Sequence, residues 1–272
     1  MNNDVEIKKI DTLEELEEVQ QLDQTIWTTE AIPVHQTLTA VQNGGIMIGA
    51  YKHNKLIGFS YGFPGFSEGK VYLCSHMLGI HPDFRGQGIG PLLKHAQKRE
   101  ALKMGYSLMT WTYDPLESVN AFLNLTKLSA VSNTYIENCY GEMADGLNDG
   151  LPTDRLKVRW HIANPYIGQT NEWNTEKLQT ISTWKICEHG HPKLNDHALD
   201  VNTDETAFLL PVPENFQKIK REDFQLALDW RLKTRKLFQS AFQHNYVAVS
   251  IVKTQDEPVN YYVLTNKELA LD

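Results

Sequence analysis

Along residues 155 to 162, RLKVRWHI, apolar and charged side chains alternate: Leu156, Val158, Trp160 and Ile162 fall on one face, Arg155, Lys157, Arg159 and His161 on the other. A period of two predicts a strand. Near the C-terminus the period changes. Phe224, Leu228, Arg231, Arg235, Phe238 and Phe242 follow a 4-3-4-3-4 spacing, which lines them up along one face of a helix. The first 145 residues give a longer series by the same reading. Val5 to Ile10 is a strand, and Asp11 or Thr12 caps a helix over LEELEEVQQLDQTIW, whose acidic first turns suit the helix dipole. Pro33 opens a shorter helix, VHQTLTAVQ, which Gly44-Gly45 ends. GIMIGAYKHNKLIGFSYGF is a hairpin turning near His53-Asn54, and KVYLCSHMLGI is a further strand. Pro91 through Met104 is a helix capped by Gly105, and YSLMTWTY is a strand. After a turn at Asp114-Pro115 come a helix, ESVNAFLNLTKLSA, and a strand, NTYIENCYG. The order β-α-α-β-β-β-α-β-α-β predicts an α/β fold: one mixed central sheet flanked by helices.

GEMADGLNDGLPTD is a long polar connection, and residues 164 to 205 have weak periodicity. AFLLPVP, the helix at about Phe224 to Phe242, and the strands YVAVSIVK and YYVLT then form a smaller C-terminal α+β unit. The expected domains are residues 1–150 and 151–272.

Composition narrows the function classes. With 26 Lys+Arg against 34 Asp+Glu the net charge is −8, which disfavours nucleic acid as the main partner. No apolar run of about 18 residues is present, so no membrane span is expected, and the charged start MNNDVEIKKIDTLEE is unlike a secretory signal. Cys74, Cys139 and Cys187 are far apart and form no CxxC, which fits a reduced, cytoplasmic compartment.

The stretch HPDFRGQGIG, residues 81 to 90, packs three glycines and an arginine into one turn between a strand and a helix. It is neither a Walker loop, since Pro91-Leu92 follow Gly90, nor a dinucleotide fingerprint, since Pro91 holds the sixth position. Arg85, Gly86, Gln87, Gly88, Ile89 and Gly90 spell R-x-x-G-x-G. Glycines let the main chain come close to a ligand, and the unpaired amides and dipole of the following helix suit a pyrophosphate. On these six residues alone a plain glycine-rich turn fits equally well.

Residues 5 to 145, above all MLGIHPDFRGQGIGPLLKHAQKREALKMG, resemble the GNAT superfamily of acyl-CoA-dependent N-acyltransferases; DPLESVNAFLNLTKLSA and YGEMADGLNDGLPTDRL resemble a bacterial branch with an extra C-terminal region. The resemblance implies that the turn binds the pyrophosphate of acetyl-CoA or another acyl-CoA. It also implies that the preceding strand splays from its neighbour, so that main-chain groups of Leu78, Gly79 and Ile80 meet the pantetheine arm. Asn120, on the later helix, is a further candidate for CoA contact. No metal is implied: Cys187, His189 and His191 lack a second ligand pair at zinc spacing.

Acyl transfer needs a neutral amine, so a base of pKa near 7 is wanted. His76 stands where family members carry a proton-accepting histidine, and alternation puts it on one face with Cys74 and Leu78, opposite Ser75 and Met77. The family's tyrosine acid is replaced by Leu125, with Ser129-Ala130 in place of Gly-Phe. Either another group is the acid, with Tyr140 the candidate and Tyr135 also on that last strand, or CoA leaves as a thiolate stabilised by dipoles. Acceptor binding in the family falls to the first two helices, which singles out Trp27 and His35. Arg155, Arg159, Arg231 and Arg235 are candidates for gripping a carboxylate, on an amino acid or a succinyl-CoA, in bidentate fashion; the alternative is that their stems rim an apolar stripe. The expected function is acyl transfer to a primary amine of a small molecule by direct attack in a ternary complex, with a homodimer as one open assembly. The rivals are a GNAT-like module that binds acyl-CoA without turnover and an unrelated α/β enzyme that binds another nucleotide.

Overall fold

A computed structural model describes residues 4–27, 31–141, 150–164, 173, 175–195, 201 and 204–269. Its packing gives two compact units, one of residues 1–111 with 161–164, the other of residues 112–160 with 165–272. This division of packing, between Trp111 and Thr112, differs from the expected domain border near residue 150. Most of the GEMADGLNDGLPTD connection lies outside the described residues.

The first unit opens with β1 (Glu6–Ile10), α1 (Leu13–Trp27) and α2 (Val34–Gln42). Thr12 Oγ1 accepts from the Glu15 amide at 3.3 Å while Glu15 Oε2 accepts from the Asp11 amide at 3.4 Å, a reciprocal closure of the kind seen in capping boxes. β2 (Ile46–Lys52), β3 (Lys55–Ser67) and β4 (Lys70–Ile80) form a meander. His53 and Asn54 turn the first hairpin with φ of 49° and 59°, the left-handed pair that matches strand twist. Then come α3 (Ile89–Lys103) and β5 (Leu108–Tyr113), whose last two residues belong to the second unit. Neighbours run β1-β2-β3-β4-β5, antiparallel except the β4–β5 pair. His161–Asn164 return to this unit, the Ile162 amide donating to the Ser107 carbonyl at 2.9 Å. α1 and α2 cover one face of the sheet over a core that includes Ile10, Leu16, Met47 and Phe59; α3 covers the other.

The second unit holds α4 (Ser118–Ala121), which widens into a π turn at Phe122–Lys127, then β6 (Val131–Ile136) and β7 (Arg155–His161). Three short strands follow, β8 (Gln179–Thr180), β9 (Trp184–Ile186) and β10 (Pro192–Leu194), then β11 (Ala207–Pro213), α5 (Phe216–Glu222), α6 (Phe224–Gln243), β12 (Val247–Val252) and β13 (Val259–Thr265). Within this unit the neighbours run β7-β6-β12-β13-β11-β8. The C-terminal strands therefore share a sheet with β6 and β7, joined through Ala248 opposite Ser132. A mixed sheet flanked by helices is what the pattern predicts, and α5 and the strands β8 to β10 are elements the pattern did not reveal.

Candidate active site

The glycine turn leaves β4 through a single 3-10 turn, Pro82–Phe84, and reaches α3 through Gly88. Gly86 and Gly88 have φ of +74° and +77°, in the left-handed region, and a Cβ on either would meet no atom within 4 Å. Backbone conformation, not crowding, demands glycine here, and the space in front of the turn is open. Arg85 is exposed, its Nε donating to the Ile80 carbonyl at 3.3 Å. Gln87 is exposed too, with Nε2 donating to the Asp83 carbonyl at 3.2 Å. Ile89 and Gly90 are buried as the first residues of α3. The leading amides of a helix lack acceptors within it, so the turn presents donors and positive charge toward open space. That donor set fits a pyrophosphate.

β4 and β5 pair in parallel only at Leu73 with Met109 and Cys74 with Thr110. Beyond that point β4 runs on to Ile80, so Leu78, Gly79 and Ile80 lie past the last β5 pairing. Their other edge is taken by β3, where Gly58, Phe59 and Ser60 are the partners of Ile80, Gly79 and Leu78. This fork is the splay that the resemblance implies, and an extended pantetheine arm fits its free edge.

The β3–β4 ladder carries a bulge: Tyr61 pairs Met77 and Phe63 pairs Cys74, so Gly62 alone faces Ser75 and His76. The bulge corrects the simple alternation. Before it, Ser75 points to α3; after it, Met77 packs with the α1 core and a Cβ on Gly79 would meet Ile26 and Trp27 of α1. Met77 therefore does not stand opposite His76 in the way strict alternation requires. The His76 ring is exposed but flanked by Tyr61 at 6.3 Å and Phe63 at 5.6 Å, and this desolvation lowers its pKa below the usual histidine value.

On the acceptor side Trp27 is half-buried, edge-on to Phe59 at 6.0 Å, while His35 is exposed on α2. A narrow crevice between α1, α2 and the sheet is lined by Asp23, Ile32, Thr37, Tyr61 and Met77. Asp23 accepts from the Ile32 amide at 3.3 Å, and burial pushes its carboxyl above the ordinary range. Sequence reasoning missed Asp23, although it falls on the stripe of Leu16, Val19 and Leu22 that α1 buries.

In the second unit, several expected roles meet other geometry. Arg231 is 1% exposed and grips Asp114 in bidentate fashion, NH1 at 2.8 Å and NH2 at 2.5 Å. Arg235 closes a fork on Asp154, Nε and NH2 both at 2.8 Å, and reaches Glu137 at 2.9 Å. Arg155 is buried, 3.8 Å from Asp114 and over the Tyr140 ring. Carboxylates of the chain itself hold these three, so the expectation that they grip a substrate carboxylate is corrected. Arg159 is half-buried on β7, its Nε without a hydrogen-bond partner among the described residues. Tyr140 lies past the end of β6, half-exposed, its hydroxyl 2.7 Å from Thr112 Oγ1. Tyr135 is committed to Asp154 at 2.7 Å. Leu125 is buried in the π turn, and Asn120 is exposed on α4. His189 pairs with Asp223 and His191 with Glu222; among the described residues no cluster has the makeup of a metal site. No helix there is long and apolar enough to cross a membrane.

A comparison with curated proteins finds no match. Among solved structures, the fold is similar to an N-acetyltransferase from Staphylococcus aureus Mu50, with 15% identity over 58% of this chain and 98% of that one and a TM-score of 0.47. A putative acetyltransferase from Salmonella typhimurium, solved with its cofactor acetyl-CoA, has 14% identity over 59% and 95%, with a TM-score of 0.48. The ribosomal-protein-S18-alanine N-acetyltransferase from Escherichia coli has 14% identity over 59% and 95%, with a TM-score of 0.46. The acetyltransferase (GNAT) family model matches residues 10–124. That span runs from the last residue of β1 into the π turn after α4, and the part of the chain that holds the glycine turn, the fork and His76 thus matches a GNAT acetyltransferase domain.

Proposed function

We propose that the protein transfers an acyl group from an acyl-CoA, acetyl or succinyl, to a primary amine of a small molecule. The observation that carries this reading is the pair of left-handed glycines facing open space at the start of α3, beside a strand whose edge is free past Cys74. Bound acyl-CoA supplies an acyl group activated as a thioester. The chain's own part is to hold and to move protons. The amides of Gly86 to Gly90 and the Arg85 guanidinium bind the pyrophosphate, and the free edge of Leu78–Ile80 aligns the arm. His76, kept neutral by its flanking rings, takes the proton from the incoming ammonium and leaves an amine with a lone pair. Asp23 in the α1–α2 crevice attracts the acceptor's positive charge before that step. Asn120 and Tyr140 belong to the second unit and enter no step here.

Thermal unfolding with acetyl-CoA, succinyl-CoA, CoA, NAD and ATP tests the donor side. A ligand at 100 times its Kd adds about 2.7 kcal/mol. A shift with CoA species alone supports the reading and selects the donor for an amine screen; a shift with NAD or ATP alone refutes it. The buried Leu125 at the tyrosine position favours one rival, a module that binds acyl-CoA without turnover. CoA binding with no product across primary amines of varied charge decides for that rival.

A further inference from the structure

Lys94 sits in the inner face of α3 with 2% of its surface exposed. Buried lysines are rare and are normally paired with a carboxylate. Among the described residues this one has no such pair. Its Nζ donates to Ser75 Oγ at 2.8 Å and lies 3.8 Å from the centroid of the Trp111 ring. Ser75 and Trp111 are the residues that follow the last β4–β5 pair, Cys74 with Thr110. The ammonium group therefore spans the fork at its apex. The hydrogen-bond chain continues from Ser75 Oγ to Gln97 Oε1 at 2.5 Å, and the buried Gln97 Nε2 has no acceptor among the described residues. An ammonium has three donors. Ser75 engages one and Trp111 offers a π face, which leaves donor capacity in a buried network that is not complete. From Ile80 to Ser75 the strand covers five steps, about 17 Å at ~3.3 Å per residue. An arm laid along β4 from the glycine turn thus brings its far end toward Lys94.

We propose that Lys94 donates the proton to the departing thiolate of CoA, the role for which the chain lacks a tyrosine at position 125. The inference rests on the acyltransferase reading above. In the step, the amine nitrogen bonds to the thioester carbonyl carbon, and the carbon–sulfur bond breaks with its electron pair going to sulfur. One Nζ proton of Lys94 passes to that sulfur. His76, exposed to solvent, has by then released the proton taken from the ammonium and accepts the second one that the nitrogen loses as the amide forms, and Lys94 regains a proton from solvent as free CoA thiol leaves. Burial lowers the Lys94 pKa from 10.5 to about 7, opposed only by attraction to the Cys74 sulfur in its thiolate form, so the group gives up a proton readily near neutrality.

The test uses binding, not turnover. The full chain is titrated with CoA and with desulfo-CoA, which lacks the thiol, and the ionisation of bound CoA is followed by thiolate ultraviolet absorbance. The thiol bound to the wild type should ionise at least about one pH unit, tenfold in acidity, below free CoA. Lys94→Met should bind desulfo-CoA as the wild type does and lose that shift. An unshifted thiol in the wild type overturns the proposal, even where the variant does not fold. An equal shift in wild type and variant overturns it too. Failure of the wild type to bind either ligand overturns the acyl-CoA reading itself and this step with it.

Discussion

His76 and Lys94 lie on the same strand–helix framework yet behave in different ways. The His76 ring is exposed between two aromatic neighbours, and its lowered pKa keeps it neutral at pH 7. His76→Ala should reduce kcat by about 10²- to 10⁴-fold with the fold intact. The wild-type acidic limb of kcat/KM should have its midpoint below 6.5, the ordinary histidine value, and the variant should lack that limb; a limb unchanged in the variant would reject His76 as base. Lys94 also leaves a trace in stability. Between its folded pKa of about 7 and the unfolded 10.5, the unfolded chain holds a proton that the folded one has released. The lysine's contribution to stability therefore rises with pH across that window, by up to about 1.4 kcal/mol per unit. Urea unfolding of wild type and Lys94→Met at several pH values should show their difference moving in favour of the wild type as pH rises from 7 to 10. A constant difference would mean that the folded pKa is ordinary. The glycines of the turn were legible in the sequence because their spacing is itself the signal. Lys94 and Asp23 were legible only as polar residues on helix stripes that otherwise bury apolar ones, and that pattern gives no partner and no depth.

At the scale of elements, α1, α2, β2 and β7 follow directly from periodicity and from punctuation by Pro33, Gly44 and the His53–Asn54 turn. The β4 bulge does not, since an alternation count carries no sign of one residue facing two. The helix over ESVNAFLNLTKLSA is one α turn that widens into a π turn, a change of pitch that apolar spacing over so few residues does not resolve. The turn before α3 bears the sharpest prediction at this scale. Gly88→Ala forces a Cβ into the left-handed region at φ +77°, at a cost of about 1–2 kcal/mol. Open space around it removes any clash, so the variant should fold, with a lowered midpoint, and should bind acetyl-CoA more weakly by calorimetry. A midpoint equal to wild type would show that the turn relaxes easily.

Over the whole molecule, the second unit shows why spacing alone misassigned its arginines. The spacing of α6 puts two arginines in line with its apolar stripe, and both are turned inward, but toward acids from distant parts of the chain. Asp114 follows β5, Asp154 precedes β7 and Glu137 follows β6. No local pattern announces such partners. Arg231→Ala leaves Asp114 buried with the Leu116 amide at 2.8 Å and, as its nearest cation, Arg155 at 3.8 Å, and breaking a buried pair costs about 3–5 kcal/mol. Denaturant unfolding should show a loss of that size. A loss under 1 kcal/mol would mean that water or Arg155 takes over the carboxylate.

The central claim is that the turn at residues 85–90 and the fork beside it bind acyl-CoA. Isothermal titration of acetyl-CoA into the wild type and into an Arg85→Ala, Gly88→Ala double variant tests it most directly. The account predicts saturable one-to-one binding by the wild type and at least about a tenfold weaker Kd, 1.4 kcal/mol, in the folded variant. No binding by the wild type, or the same Kd in both, would contradict it.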